Sequence, residues 1–345
     1  MEQLVTRAYN RFEINETKGI IRKLSSTERL RDEIWYYNKL NTEHPDQAVL
    51  FPRIIGATSH MQYGESSLRD RGRKNQQGQY EYWIDLELYN YPNAGSYLFG
   101  DNVMPSWEHF FISLQNILSE WTPIHPRARW TPEEIQQAAT DMYITKTEKE
   151  FHNFRDGWQD KFDNLFIDQV STHTLIINEK EYAMFEVIWP QIKQYIQDNM
   201  LSFTPSLIHG DCCFSNILYG QDKHIIRFID PRGSFGKTGI YGDIQYDVAK
   251  LYHSVDGTYE AYITDQFTVT ATGNEYTLHI ATDRGVDIAL HAFESIFFPH
   301  FNKKQIKILQ GCIFIGMCAR HYDNMERQRA MYLTGTRLLN EGLSL

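Results

Sequence analysis

The chain has 345 residues, 34 basic and 44 acidic, for a formal net charge of −10. Hydrophobic residues make up 42% and charged residues 23%, a globular composition that excludes wholesale disorder and a fibrous chain. An acidic chain lacks the broad positive field that non-specific nucleic-acid binding needs, and its length suits one large domain or two ordinary ones.

The opening stretch MEQLVTRAYNRFEIN has no apolar core for a signal peptide. The longest apolar run, 311–319, is far below the ~18–20 residues of a spanning helix. A soluble, cytoplasmic protein without membrane insertion is expected. Residues 11–15 and 19–24 read as short strands, separated by a polar turn that ends in Gly19. A helix follows: Ser25 and Glu28 have capping-box spacing, and Leu30, Ile34, Tyr37 and Leu40 recur at helical spacing. The polar, locally basic run 66–79 reads as a solvated loop rather than an anion-binding patch.

Residues 80–89, dense in aromatic and branched side chains, are the strongest strand candidate. Turn formers from Asn90 to Gly95 then mark a boundary between a small first lobe, 1–90, and a larger second one, 91–345. The second lobe reads mainly as helix. Its expected helices cover 105–121, a stretch capped by Thr131 with Pro132 and Glu134, and 178–200, bent at Pro190. Short strands are expected at 206–209, 217–219 and 224–229. A helix over 243–254, a hairpin near 262–280, and helices at about 282–299, 303–320 and 323–340 complete the chain.

The chemistry concentrates between Ser206 and Leu251. Asp211, Asn216 and Asp230 are oxygen-bearing side chains set close to short strands, and hard oxygen ligands suit Mg²⁺. Each part alone is weak. The ordered set is specific: His209-Gly-Asp211, then Asn216, then Ile229-Asp230, then Gly242-Asp243 and Tyr246-Asp247. This pattern resembles the aminoglycoside phosphotransferase and choline kinase family, small-molecule relatives of the protein kinases. The resemblance implies an α+β, bilobal protein-kinase-like fold, with a small β-rich N-lobe and a larger mainly helical C-lobe. It implies Asp211 as catalytic base, His209 as a support of its loop, and Asn216 and Asp230 as ligands of Mg²⁺ on a nucleoside triphosphate. Asp247 would hold the loop structurally, while Asp243 reads as a helix N-cap.

Glu33 falls inside the apolar stripe of the first helix, and a carboxylate on a buried face needs a partner. Lys23 resembles the strand lysine of the family. Arg22 competes with it, because strand register cannot be read from sequence. Leu88 and Tyr89, where the strand over 80–89 meets the lobe boundary, complete the nucleotide-binding candidates. One departure matters: Gly19 is the sole glycine among the first 55 residues, so a glycine-rich phosphate loop is shortened, glycine-free or missing. Gly233-Ser-Phe-Gly236-Lys237-Thr238 falls short of a P-loop, with two residues between its glycines instead of four.

Other candidates read as structural. Cys212, Cys213, Cys312 and Cys318 lack zinc spacing and read as reduced, buried thiols. Lys146 and Arg155 read as solvated helix charges before substrate contacts. The expected activity is transfer of the γ-phosphoryl group of ATP or GTP to a hydroxyl of a small molecule: a sugar, polyol or amino alcohol. Residues 229–236 and 246–251 look most like bacterial phosphotransferases associated with capsule and surface-polysaccharide synthesis. The alternative is a catalytically silent, nucleotide-binding pseudokinase module, with metal-dependent hydrolysis behind it. The acidic remainder suits a neutral or cationic acceptor.

Overall fold

The computed structural model describes residues 10–26, 29–58, 73–74, 80–100, 102–121, 130–159, 173–273, 275–281 and 284–345. They form two compact units, residues 1–94 with 209–241 and residues 95–208 with 242–345. The fold is α+β, with a β-rich N-terminal sheet and a mainly helical C-terminal part.

In the first unit, β1 (Asn10–Asn15) and β2 (Ile20–Ser25) pair antiparallel, Phe12 opposite Lys23. Asn15 accepts from the Lys18 amide, and Gly19 takes φ +63° to close the turn, a conformation glycine adopts without a Cβ penalty. Helix α1 (Arg29–Glu43) buries Leu30, Tyr37 and Leu40 of the expected stripe together with Glu33 and Tyr36, while Ile34 is half-buried. Glu28, half of the expected capping box, lies outside the described residues, as does most of the 66–79 loop. Strands β3 (Ile54–Ala57), β4 (Arg73–Lys74) and β5 (Tyr80–Glu87) complete a sheet of order β1-β2-β5-β3, with β4 also on β5. A hairpin of β6 (Ile217–Gly220) and β7 (Ile225–Phe228) joins this unit through 92–94, where the Tyr219 and Ala94 amides bond Pro92 O and Ile217 O. Phe51 sits at its centre, against Tyr36, Tyr37, Phe228 and the ring of His209.

The second unit packs helices Trp107–Trp121, Phe185–Asn199, Ile244–Val255, Arg284–Phe297, Lys303–Cys318 and Met325–Ser344. Thr131 and Glu134 form both bonds of the capping box, and the helix they start passes through a π-helical stretch, Thr140–Thr145, before Lys146–Gln159. Two expected element boundaries are corrected. The helix expected from 178 begins at Phe185, because Asn178 and Glu179 take left-handed φ of 48° and 67° and turn Thr174–Ile177 back onto Lys180–Ala183. The Asn178 side chain bonds both Leu278 N and Leu278 O, a partner 100 residues away that local periodicity cannot register. Tyr262 lies in the short helix Tyr259–Ile263, and the hairpin is Phe267–Thr272 with Glu275–Ile280.

All four cysteines are free and buried, and burial pushes the Cys312 thiol up to about 12. Lys146 is half-buried and donates to the Tyr246 hydroxyl at 3.0 Å, which corrects its reading as a solvated charge. Gly233 to Thr238 form a strand hairpin, Ser234–Phe235 with Lys237–Thr238, with no helix after it. Among the described residues, no helix is long and apolar enough to cross a membrane.

Asp243 caps the helix Ile244–Val255. It accepts from the Gln245 amide at 3.0 Å and from the Tyr143 hydroxyl at 2.7 Å. Burial, partly offset by these bonds, pushes its carboxyl up to about 6. A raised folded value means that the stabilisation is complete below the unfolded value and is lost as pH rises through about 6. The stability of the native chain relative to Asp243→Asn should therefore fall by roughly 3 kcal/mol between pH 4 and 7, read from denaturant titrations. A pH-independent difference would exclude a buried, titrating carboxyl here.

Candidate active site

The loop that opens at His209 is cross-tied to the chain around Asp230. His209 is fully buried, and both ring nitrogens are engaged: Nε2 with the carbonyl oxygen of Ile229 at 2.9 Å, Nδ1 with the amide of Asp211 at 3.2 Å. A carbonyl only accepts and an amide N–H only donates, so the pair of bonds selects the neutral Nε2–H tautomer. Phe51 stacks on the ring at 6.0 Å and 15°. The Arg232 amide donates to His209 O at 2.9 Å, and the Ile229 amide to Asn216 O at 3.0 Å. Asn216 donates its own side-chain Nδ2–H to the carbonyl oxygen of Asp211 at 2.9 Å. Backbone and side-chain bonds thus bring His209, Asp211, Asn216 and Asp230 together in one braced segment.

Strand register separates the two cations. Arg22 forms a bidentate pair with Asp85 at 2.6 and 2.7 Å and lies over the Trp83 ring. Lys23, on the alternate face of β2, reaches Glu33 at 2.6 Å and also bonds Asp230. Lys23 and Glu33 are buried, whereas the Asp230 side chain is 49% exposed. Burial alone would lower the Lys23 ammonium, but Asp230 and Glu33 together hold it above its ordinary value. Burial, opposed by Lys23 and reinforced by Asp230, pushes the Glu33 carboxyl up to about 8. Asp230 itself takes φ +58°, a left-handed conformation that costs a non-glycine residue roughly 1–2 kcal/mol.

The Leu88 amide donates to Gly19 O at 2.9 Å, and the Tyr89 hydroxyl to Phe51 O at 3.1 Å. In the second unit Asp247 is fully buried, and Arg155 lies beside Asp156 at 3.5 Å. Among the described residues, no group of three or more His, Cys, Asp or Glu side chains is arranged to hold a metal ion. Asn216 and Asp230 supply two hard oxygen donors, and the Nδ2 bond of Asn216 leaves its Oδ1 for a cation. That donor set fits Mg²⁺, which takes few protein ligands and fills its octahedron with phosphate oxygens and water. Sequence reasoning missed Phe51, whose contacts on α1, His209 and β7 are distant in sequence. It also missed the close packing at Gly210, where a Cβ would come 2.8 Å from the Arg232 Cβ.

No protein-family model matches the chain, and no curated protein does. Solved structures do. The apo crystal structure of a thermostable mutant of aminoglycoside phosphotransferase APH(4)-Ia aligns with 94% of this chain and 88% of its own at 9% identity, with a TM-score of 0.52. The fold is that of the aminoglycoside phosphotransferases. ADP-bound aminoglycoside phosphotransferase APH(2'')-Ib aligns over 97% of this chain and 95% of its own at 11% identity and a TM-score of 0.48. Choline kinase LicA from Streptococcus pneumoniae aligns over 96% and 90% at 11% identity and 0.47. At these identities the likeness is one of fold alone.

Removing the ammonium strands a buried carboxylate. Lys23→Met should destabilise the chain by about 3 kcal/mol or more, and adding Glu33→Gln should restore a large part of that loss. Chemical denaturation of the native chain, the two single variants and the double variant measures both. A double variant as unstable as the sum of the two single ones would show that Lys23 and Glu33 do not depend on each other.

Proposed function

We propose that the chain is a small-molecule kinase, which moves the γ-phosphoryl group of ATP or GTP to a hydroxyl of a sugar, polyol or amino alcohol. The observation that carries this reading is the convergence of Lys23, Glu33 and Asp230, next to a loop in which Asn216 braces Asp211. Phosphoryl transfer asks a protein chiefly for positioning and for charge stabilisation, and this is a minimal set for both. Asp211 orients the acceptor hydroxyl and takes its proton as the oxygen attacks phosphorus. His209, locked as the Nε2–H tautomer, holds the Asp211 amide and keeps the loop in place. Lys23 binds the nucleotide phosphates, kept in position by Glu33. Asn216 and Asp230 would hold Mg²⁺, which would supply charge neutralisation for the nucleotide phosphates.

Leu88 and Tyr89 contribute to the nucleotide side within an N-lobe of residues 1–90, and the acceptor is taken up by a C-lobe of 91–345. The chain works in the cytoplasm, without nucleic acid or membrane insertion. The negative net charge favours a neutral or cationic acceptor over an anionic one.

The second reading is a catalytically silent nucleotide-binding module. One observation favours it: the turn between β1 and β2 is the short Glu16–Gly19 segment, with Gly19 alone among the first 55 residues. Transfer assays with labelled ATP and GTP against a panel of sugars and amino alcohols separate the two. Turnover that falls about 10²–10⁴-fold in Asp211→Asn, with nucleotide binding retained, supports the base. Equal turnover in both proteins would remove Asp211 from that role, and nucleotide binding without transfer to any acceptor would favour the silent module.

A further inference from the structure

The stretch Asp230-Pro231-Arg232-Gly233 is held at both ends by close backbone approaches. At one end the Arg232 amide bonds His209 O, and a Cβ at Gly210 would come 2.8 Å from the Arg232 Cβ. At the other end Gly233, at φ +70°, lies on the first turn of α1. A Cβ there would come 2.3 Å from the carbonyl oxygen of Asp32 and 2.6 Å from its carbonyl carbon. Those are backbone atoms, so they yield only if the helix moves. Asp32 directly precedes Glu33. Four residues beyond Glu33, on the same helix face, Tyr37 is buried as well. Gly239 returns the chain with a bond from its amide to Gly233 O at 3.0 Å. Gly273 shows what a left-handed glycine looks like without this packing: its φ is +62°, and nothing lies within 4 Å of its Cβ position.

We infer that Gly233 is a positioning residue: by admitting the Asp32 backbone it fastens α1 to the Asp230 segment, so that Glu33 and Asp230 move as one body around Lys23. Kinase-like enzymes are commonly switched by moving the helix that carries the glutamate. In this chain a swing of α1 alone would break its close packing against Gly233, so the same contact holds the Lys23–Glu33 pair assembled. The functional weight of this inference rests on the phosphotransferase reading, but the mechanical coupling does not.

Native-state hydrogen exchange on the full chain tests it. Amides in the middle of α1 and the amides of Arg232 and Gly239 should open with one free energy and one denaturant dependence. In Gly233→Ala, α1 should exchange about 10-fold or more faster than the Arg232 amide, whose bond to His209 is untouched. Lys23 should also become several-fold more reactive to an amine reagent. Gly273→Ala carries the same left-handed penalty and should move neither readout. Opening of α1 at lower denaturant than Arg232 and Gly239 in the native chain would overturn the coupling, as would wild-type α1 exchange and Lys23 reactivity in Gly233→Ala. If that variant does not fold, the native-chain comparison still decides. None of these readouts needs turnover, so joint opening in a chain that transfers no phosphate would sink the phosphotransferase reading alone.

Discussion

The first unit is organised by a buried ammonium. Lys23 cannot stay charged in a low-dielectric interior without compensation, because an isolated buried ion is far costlier than any single contact can offset. Its two carboxylates come from different elements, Glu33 from α1 and Asp230 from the end of β7's chain. Strand, helix and hairpin must therefore converge on one point. Burial raises the Glu33 carboxyl, Lys23 opposes that rise, and the second acid, Asp230, reinforces it.

The apolar packing answers the same demand. Phe51 joins α1 to β7 and stacks on His209, so one aromatic ring connects the helix that carries Glu33 with the loop that carries Asp211. Backbone geometry supplies the rest. Asp230 is held left-handed and Gly210 and Gly233 permit approaches that a methyl group would prevent. Non-glycine residues keep such conformations only where their surroundings over-determine them, as the ties from Ile229 and Arg232 do here.

The second unit depends on buried polar contacts of another kind. Asp243 satisfies the start of one helix and receives the hydroxyl of Tyr143 from a π-helical stretch, where one extra residue per turn re-aims side chains. Asn178 shows how a single side chain can override local periodicity. By matching both backbone groups of Leu278 it stabilises a turn where a helix pattern would otherwise run on. Neither partner is near in the chain, so neither was visible in the order of residues.

Much of the fold was legible because it rests on local rules: the Gly19 turn, the stripe of α1, the Thr131 capping box and the apolar runs of β5, β6 and β7 follow from periodicity and backbone preference. The site motif was legible for the same reason, since His209 to Asp230 lie within one short stretch of chain. The sequence by itself determined that a buried Glu33 required a cation and that Lys23 and Arg22 were its candidates. Only the tertiary structure decided between them, because adjacent residues of a strand face opposite ways and the register of β2 against β5 sets which one meets α1. The same holds for Asp85 as the partner of Arg22, for Phe51 as the link between α1 and the His209 loop, and for the glycine contact of residue 233 with Asp32. Each joins residues far apart in the chain, and no local pattern carries that distance.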